Sequence, residues 1–299
     1  MNATGYKSGF FSIVGCPNVG KSTLINRLVG QKIAIVTDRA QTTRNRITGI
    51  LTRKDYQMIF LDTPGMTKPR NKLGEFMQKT AEDASKDTEA ILLVVDALQG
   101  VRERDAEVMR IVKAQRSPAI VLINKCDAAS ALKMQEARDA IKEAGFDTVL
   151  AISAQTGENL DKLEELLKNY LTEGPQYYPE DMVTDQPERV ICAEMIREKT
   201  LELLREEIPH GIGVGIDKMQ MRPDGRLMDV WATIYCERES HKGIIIGRGG
   251  KMLKRIGSEA RKDIEWLLDV QVNLQLWIKV KEDWRNRQQM LNELGYRDD

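Results

Sequence analysis

The octapeptide Gly15-Cys-Pro-Asn-Val-Gly-Lys-Ser22 limits what this chain can fold into more than any other stretch. It follows an apolar run at residues 10–14 and opens an amphipathic pattern over residues 21–29. The spacing G-x-x-x-x-G-K-[ST] between a strand and a helix is the form that wraps phosphate groups. Backbone N–H groups of the loop point at the anion, the helix N-terminus adds partial positive charge, and Lys21 adds a full one. The Ser22 hydroxyl is placed to ligate Mg2+. Gly15, Cys16, Pro17, Asn18, Val19, Gly20, Lys21 and Ser22 are the candidate phosphate-binding residues.

A strand–loop–helix of this kind belongs in an open α/β sheet, and the first half of the chain supplies further strands. Short Ile- and Val-rich runs at 10–14, 58–61, 90–95, 119–123 and 148–152 lack polar alternation, as strands buried on both faces do. Helical patterns at 21–29, 73–87, 104–113, 129–144 and 160–171 alternate with them. This order predicts a mostly parallel six-stranded sheet with helices on both faces. Residues 47–53 and 57–62 are close enough in sequence to form a hairpin, which makes one edge strand antiparallel. At 41% hydrophobic and 30% charged residues the chain is not globally disordered. Its longest apolar run, 90–95, is far short of the ~20 residues a membrane span requires. The first seven residues have no secretory or transit character, so a cytoplasmic location is expected. Cys16, Cys126, Cys192 and Cys236 show no CxxC spacing, and with two histidines neither a zinc site nor a disulfide framework is expected.

Residues 174–187 hold three prolines and no helical or strand period, and read as a domain boundary. The expected division is a domain over 1–173, a linker over 174–188 and a second domain over 189–299. The second half is predicted as a smaller α+β domain: a helix at 189–207, strands at 211–221 and 227–236, a helix at 251–268 with Gly257 marking a break or tight packing, a strand at 270–280 and a closing helix at 283–294.

Two further motifs sit at strand ends, where ligands of open α/β sheets bind. Asp62-Thr63-Pro64-Gly65 comes forty-one residues after Lys21; Asp62 can hold Mg2+ through water, and the Gly65 N–H can meet a γ-phosphate. Asn124-Lys125-Cys126-Asp127 follows the strand at 119–123. The Asp127 carboxylate can accept from guanine N1 and N2, whereas adenine has no 2-amino group to offer. Asn124 can bond guanine N7 and tie to the phosphate loop, and the Lys125 stem can stack on the base. A site built to pair such donors discriminates strongly against a base lacking them. Ser153-Ala154, after the sixth strand, fits a loop whose backbone N–H meets guanine O6.

With these motifs the first half resembles a translation-factor-class P-loop GTPase. The Pro17 and Asn18 of the phosphate loop and the run Gln41-Thr42-Thr43-Arg44 resemble the Era branch. The resemblance implies GTP/GDP and Mg2+ as cofactors. It makes residues 41–44 and 62–66 the two switch segments, with Thr42 or Thr43 completing the Mg2+ shell when GTP is bound. Met66 stands where Ras-like enzymes carry a water-orienting glutamine, so slow intrinsic turnover is implied. Asn18 matches the loop asparagine that coordinates a monovalent cation in some relatives. Either K+ there replaces an arginine finger, or Asn18 only shapes the loop.

In the second half, Gly247-Arg248-Gly249-Gly250 is a GxxG loop between an apolar stretch and a helix, the signature by which KH domains clamp a nucleic-acid backbone. The chain as a whole is neutral, with 45 basic and 45 acidic side chains. Residues 181–299 hold 20 basic against 22 acidic residues, yet residues 241–262 hold seven cations against Glu259 alone. Attraction for phosphate is thus confined to one segment. Gly247, Arg248, Gly249, Gly250, Lys251, Lys254 and Arg255 are the candidate RNA-binding residues. The element order resembles the type II KH arrangement, and a GTPase domain joined to such a domain resembles the whole Era family architecture. That resemblance implies a monomeric ribosome-assembly GTPase. Its KH domain binds the 3′ end of small-subunit rRNA and the 30S precursor, with nucleotide state controlling RNA engagement. It also implies peripheral contact with the inner face of the cell membrane. Lys279, Lys281, Arg285 and Arg287 are the cations for this, but Glu282 and Asp283 interrupt them, and a solvated face is the preferred reading. The alternative function is a signalling or cell-cycle switch with a protein effector and a KH-like docking module; an ATP-dependent enzyme is disfavoured by Asn124–Asp127. Trp231, Trp266, Trp277 and Trp284 could stack bases, but core packing is expected for three of them.

Overall fold

A computed structural model describes residues 5–37, 43–65, 69, 71–84, 87–204 and 211–296. Among these, no helix is long and apolar enough to cross a membrane. The chain forms two compact units: residues 1–34, 40–68 and 77–185, and residues 35–39, 69–76 and 186–299.

The first unit is built on strands β1 (Lys7–Val14), β2 (Ile47–Thr52), β3 (Tyr56–Asp62), β4 (Ala90–Asp96), β5 (Ala119–Asn124), β6 (Val149–Ala151) and β7 (Thr172–Glu173), with helices α1 (Lys21–Val29), α2 (Lys72–Ala84, of which residues 77–84 belong to this unit), α3 (Glu103–Lys113), α4 (Ala131–Glu143) and α5 (Leu160–Lys168) in chain order between them. The sheet order is β2-β3-β1-β4-β5-β6. All pairs along it are parallel except the β2–β3 hairpin. β4 is buried along its whole length, as its unbroken apolar run requires when helices cover both faces of a sheet. Because the strands run parallel, the carboxyl ends of β1, β3, β4 and β5 lie along one edge, which is where the motif residues fall.

The expectation of six strands is corrected to seven. β4 pairs with β1 only from Phe11 onward, which leaves Lys7 and Ser8 with an open edge. β7 closes it, antiparallel, through Lys7↔Glu173 and Ser8↔Thr172. Two residues carry no alternation, so this strand had no signature.

The second unit contains α6 (Glu188–Leu204), β8 (Gly213–Met221), β9 (Leu227–Cys236), α7 (Glu239–Ile246), α8 (Lys251–Leu268), β10 (Gln271–Val280) and α9 (Gln288–Glu293), with single 3-10 turns at Arg248–Gly250 and Trp284–Asn286. β9 lies at the centre of a three-stranded sheet, antiparallel to β8 and parallel to β10. Val230, Ala232 and Ile234 of β9 and Ile256, Ala260 and Ile264 of α8 share one apolar core. α8 runs unbroken through Gly257. A Cβ there would stand 3.4 Å from Leu276, so this glycine allows close packing on β10.

The tryptophans depart from expectation. Trp284 alone is fully buried, its indole N–H donating to the Gly211 carbonyl at 2.9 Å. Trp266 is 63% exposed and Trp277 44% exposed. Strand and helix periodicity located their elements but not which side of each element faces the core.

Within the expected linker over 174–188, the first part packs on the first unit. The Gln57 side chain is fully buried in β3 and satisfies that segment. Its amide group donates to the Tyr178 carbonyl at 3.0 Å and to Thr52 at 2.9 Å, and its carbonyl accepts from the Tyr177 and Tyr178 N–H groups at 2.9 and 3.1 Å. Ile50 donates its N–H to Val183 at 2.8 Å, and the Tyr177 ring meets Phe10 edge-on. Proline content marked an irregular backbone, but a buried glutamine, the Ile50–Val183 bond and the Phe10–Tyr177 contact hold it in place. Gln57→Ala is expected to destabilise the protein by about 2 kcal/mol in urea unfolding and to open a proteolytic site between residues 174 and 185.

Candidate nucleotide and nucleic-acid sites

The phosphate loop runs from the end of β1 to the start of α1. Gly15 and Gly20 have positive φ, and so does Asn18 at 66°. Gly20 is the N-cap of α1, and a Cβ on it would stand 2.2 Å from the amide nitrogen of Asn124. Cys16 and Val19 are buried in the core below the loop, and Asn18 is exposed above it. Lys21 is also buried, and its ammonium donates to the Gly15 and Cys16 carbonyls at 3.1 and 3.2 Å. Burial lowers its pKa, and Asp62 opposes that shift. The Cys16 thiol is pushed up to about 12, first by burial and then by Asp105. All four cysteines are free.

Three oxygen-bearing side chains from three different motifs converge beside Lys21. Ser22 Oγ lies 2.8 Å from Thr43 Oγ1 and 2.9 Å from Asp62 Oδ2, and Thr43 lies 3.5 Å from the same carboxylate oxygen. Asp62 is fully buried, and its other oxygen, Oδ1, takes no hydrogen bond among the described residues. Burial pushes its carboxyl up to about 6, while Lys21, Ser22 and Thr43 pull it down. A buried carboxylate oxygen without a partner, beside two hydroxyls, fits Mg2+ held through few protein oxygens and several waters. Thr63 fixes the end of β3 to β1 through the Ile13 carbonyl at 3.0 Å, and Pro64 is buried. Gly65 approaches Pro17 so closely that a Cβ would stand 3.0–3.2 Å from it. Arg44 is buried. Gln41, Thr42 and Met66 lie outside the described residues.

At the end of β5, Asn124 uses its amide in two directions. It donates to the Val19 carbonyl at 2.8 Å and accepts from the Ala154 N–H at 2.9 Å. The Ser153 N–H donates to the Glu158 carbonyl at 3.1 Å. The expected backbone donors to guanine O6 are therefore both engaged within the protein, and the seen role of this loop is to lock Asn124. Lys125, at φ 67°, reaches back to the Asn18 carbonyl at 3.1 Å and to Asp96 at 2.7 Å. Asp127 is exposed. Asp96 was not among the sequence candidates. It is buried at the end of β4, opposite Asn124 in register, and its other oxygen accepts from the Leu98 N–H at 2.8 Å. An acid closing the apolar run 90–95 was the one signal for it.

In the second unit the GxxG loop joins α7 to α8. Gly247 closes α7 with φ 70°, and a Cβ there would stand 2.7 Å from that of Met252. Gly249 and Gly250 also have positive φ, with open space where their side chains would be. Gly250 is the N-cap of α8, so the exposed loop backbone lies against a helix N-terminus. Arg248, Lys251, Lys254 and Arg255 are all exposed, and none of the four forms an ion pair among the described residues. Lys262 and Arg261 have Glu259 and Glu265 within 3.8 Å. Of the cations near the C-terminus, Arg285 is taken by Glu237 in two contacts of 2.9 and 2.8 Å.

Against known proteins, residues 10–125 match a family described as 50S ribosome-binding GTPase, and residues 207–285 match the KH domain family. The chain is 52% identical over 297 residues to the GTPase Era of Clostridioides difficile, covering 98% of this chain and 99% of that protein. It is 48% identical over 298 residues to the GTPase Era of Staphylococcus haemolyticus, covering 99% of each. A crystal structure of Era with MgGDPNP and nucleotides 1506–1542 of 16S ribosomal RNA superposes with a TM-score of 0.93 at 40% identity, covering 97% of this chain and 99% of that one. A variant of Aquifex aeolicus Era bound to GDP.AlF4- gives 0.92 at 39%, with the same coverage. The chain therefore belongs to the Era family of GTPases, with a P-loop GTPase domain followed by a KH domain.

Proposed function

We propose that this protein is a GTP-hydrolysing ribosome-assembly factor whose KH domain binds the 3′ end of small-subunit rRNA on the 30S precursor, with nucleotide state setting the strength of that engagement. The observation that carries the reading is that one chain holds both a guanine-nucleotide loop set and a GxxG loop with four cations that form no ion pair among the described residues. The Era structure bound to MgGDPNP and 16S rRNA nucleotides supports the same pairing of ligands.

The loop from Gly15 to Ser22 would cradle the phosphates, and the Lys21 ammonium, now on the Gly15 and Cys16 carbonyls, would supply positive charge to them. Ser22, Thr43 and, through water, Asp62 would hold Mg2+. Bound there, the ion offsets charge on the phosphate oxygens. Of the two candidate threonines, Thr43 has its hydroxyl at this cluster. Asp127 reads guanine, and Asn124 and Lys125 clamp the base loops to the phosphate loop. Met66 offers no group to orient the attacking water; K+ at Asn18 would supply the positive charge an arginine finger brings, the alternative being that Asn18 only shapes the loop. A cytoplasmic location is part of this reading. Contact with the inner membrane surface is a weaker part, since Glu237 already occupies Arg285.

The Asp62 carboxyl, raised to about 6 by burial, is protonated below that pH and then competes with Mg2+. Mg2+ support of GTP binding is expected to weaken about tenfold between pH 7 and pH 5. Titrating Mg2+ at fixed GTP at the two pH values checks this, and Asp62→Asn should flatten the profile. GTP hydrolysis is expected to run faster in potassium than in sodium at equal ionic strength, and equal rates rule out the potassium role. Gly249→Asp tests the RNA reading. Its φ of 58° suits aspartate and its side chain enters open space, so the fold survives while a negative charge is added to the loop. A filter-binding titration with a small-subunit rRNA 3′-end fragment should show at least a tenfold loss. The wild-type protein should bind that fragment differently with a GTP analogue than with GDP. GTP, ATP and XTP competition checks the base preference.

A further inference from the structure

Trp266 is 63% exposed on a helix whose other large apolar residues turn inward. α8 buries Ile256, Ala260 and Ile264. On its solvent side, Lys251, Arg255, Glu259, Lys262 and Trp266 recur at spacings of four, four, three and four, which places them on one stripe. Lys251, Arg255 and Lys262 are exposed. The one acid of the stripe, Glu259, lies 3.8 Å from Lys262 and leaves an excess of positive charge. The stripe begins beside Gly250, the last residue of the GxxG loop. At the helical rise, Lys251 and Trp266 are about 22 Å apart along the axis.

Exposed aromatic rings in line with cations are what single-strand binders use: bases stack on the rings while phosphates follow the charges. We propose that Trp266 is a stacking platform for an unpaired RNA base, on a strand whose backbone leaves the Gly247–Gly250 loop and follows Lys251, Arg255 and Lys262 along α8. This rests on the RNA-binding reading of that loop. An anionic membrane is disfavoured as the occupant, because insertion needs a broad apolar face and this stripe has one large apolar side chain and an acid in its middle. Trp277 provides a control. Its neighbours Leu276 and Ile278 pack with the core, so alternation puts Trp277 on the opposite face of the sheet from the helices.

Salt-dependent titrations of the full chain with the rRNA 3′-end fragment test this. Trp266→Ala is expected to weaken binding on the order of tenfold, with Trp266→Tyr restoring most of it and Trp277→Ala unchanged. The slope of log affinity on log salt should stay at its wild-type value in Trp266→Ala and fall in Lys251→Ala, because only the second removes a phosphate contact. Circular dichroism should show both tryptophan variants folded. Wild-type affinity in Trp266→Ala, or an equal loss in Trp266→Tyr, overturns the proposal. So does loss of binding to phosphatidylglycerol vesicles in Trp266→Ala with RNA affinity intact. Full RNA affinity in Gly249→Asp would instead overturn the loop reading beneath it, whereas a weakened Gly249→Asp beside an unaffected Trp266→Ala removes the stacking role alone.

Discussion

One buried amide fastens the nucleotide loops together. Asn124 is almost wholly shielded from water, and its nitrogen and oxygen are spent on the Val19 carbonyl and the Ala154 N–H. Both partners are backbone groups in irregular loops, with no strand or helix ladder at hand to satisfy them. Removing either bond would leave a buried polar group unpaired, at roughly 1–3 kcal/mol each. Gly20 has no side chain because that amide nitrogen stands where its Cβ would be. The position of Lys21 follows, since it is the next residue, and so does that of Ser22 relative to Asp62. The phosphate end and the base end of the site are therefore parts of one hydrogen-bonded object. Lys125 adds a second strut from the same β5 end to Asn18, anchored on Asp96.

The second unit solves the opposite problem. The nucleotide loop buries its cation, whereas the GxxG loop keeps both backbone and cations in solvent. Its glycines provide backbone conformations and open approach, and its charge is left unneutralised over a short stretch of a domain that is close to neutral as a whole. A ligand with a repeating negative backbone gains there, and the acidic remainder discourages binding elsewhere.

Much of the fold was legible because each motif carries its own local geometry. The residues from Gly15 to Ser22 specify a turn between strand and helix, and the apolar runs specify buried strands. Ser22, Thr43 and Asp62 sit in three separate motifs, and their meeting is a consequence of strand order, which the parallel pattern implied. What stayed hidden depends on partners distant in sequence. Asp96 looks like any strand-ending acid until Lys125 is brought to it. β7 exists because β4 starts late against β1. The 174–185 segment reads as a linker until Gln57, more than a hundred residues earlier, is seen to satisfy it. The exposure of Trp266 and Trp277 depends on which side of each element faces the core, and periodicity alone does not state that.

The thiol of Cys16 has a consequence for how the site ages. Burial and Asp105 push this sulfhydryl up to about 12, so it stays a thiol at neutral pH, and only the thiolate reacts readily with peroxide or electrophiles. Cys126, in the guanine loop, is shifted in the same direction by burial and by Glu158. Cys16 lies buried beneath the phosphate loop and Cys126 half-buried beside Asp127, and burial disfavours the thiolate at both, so alkylating agents should react slowly with this part of the site.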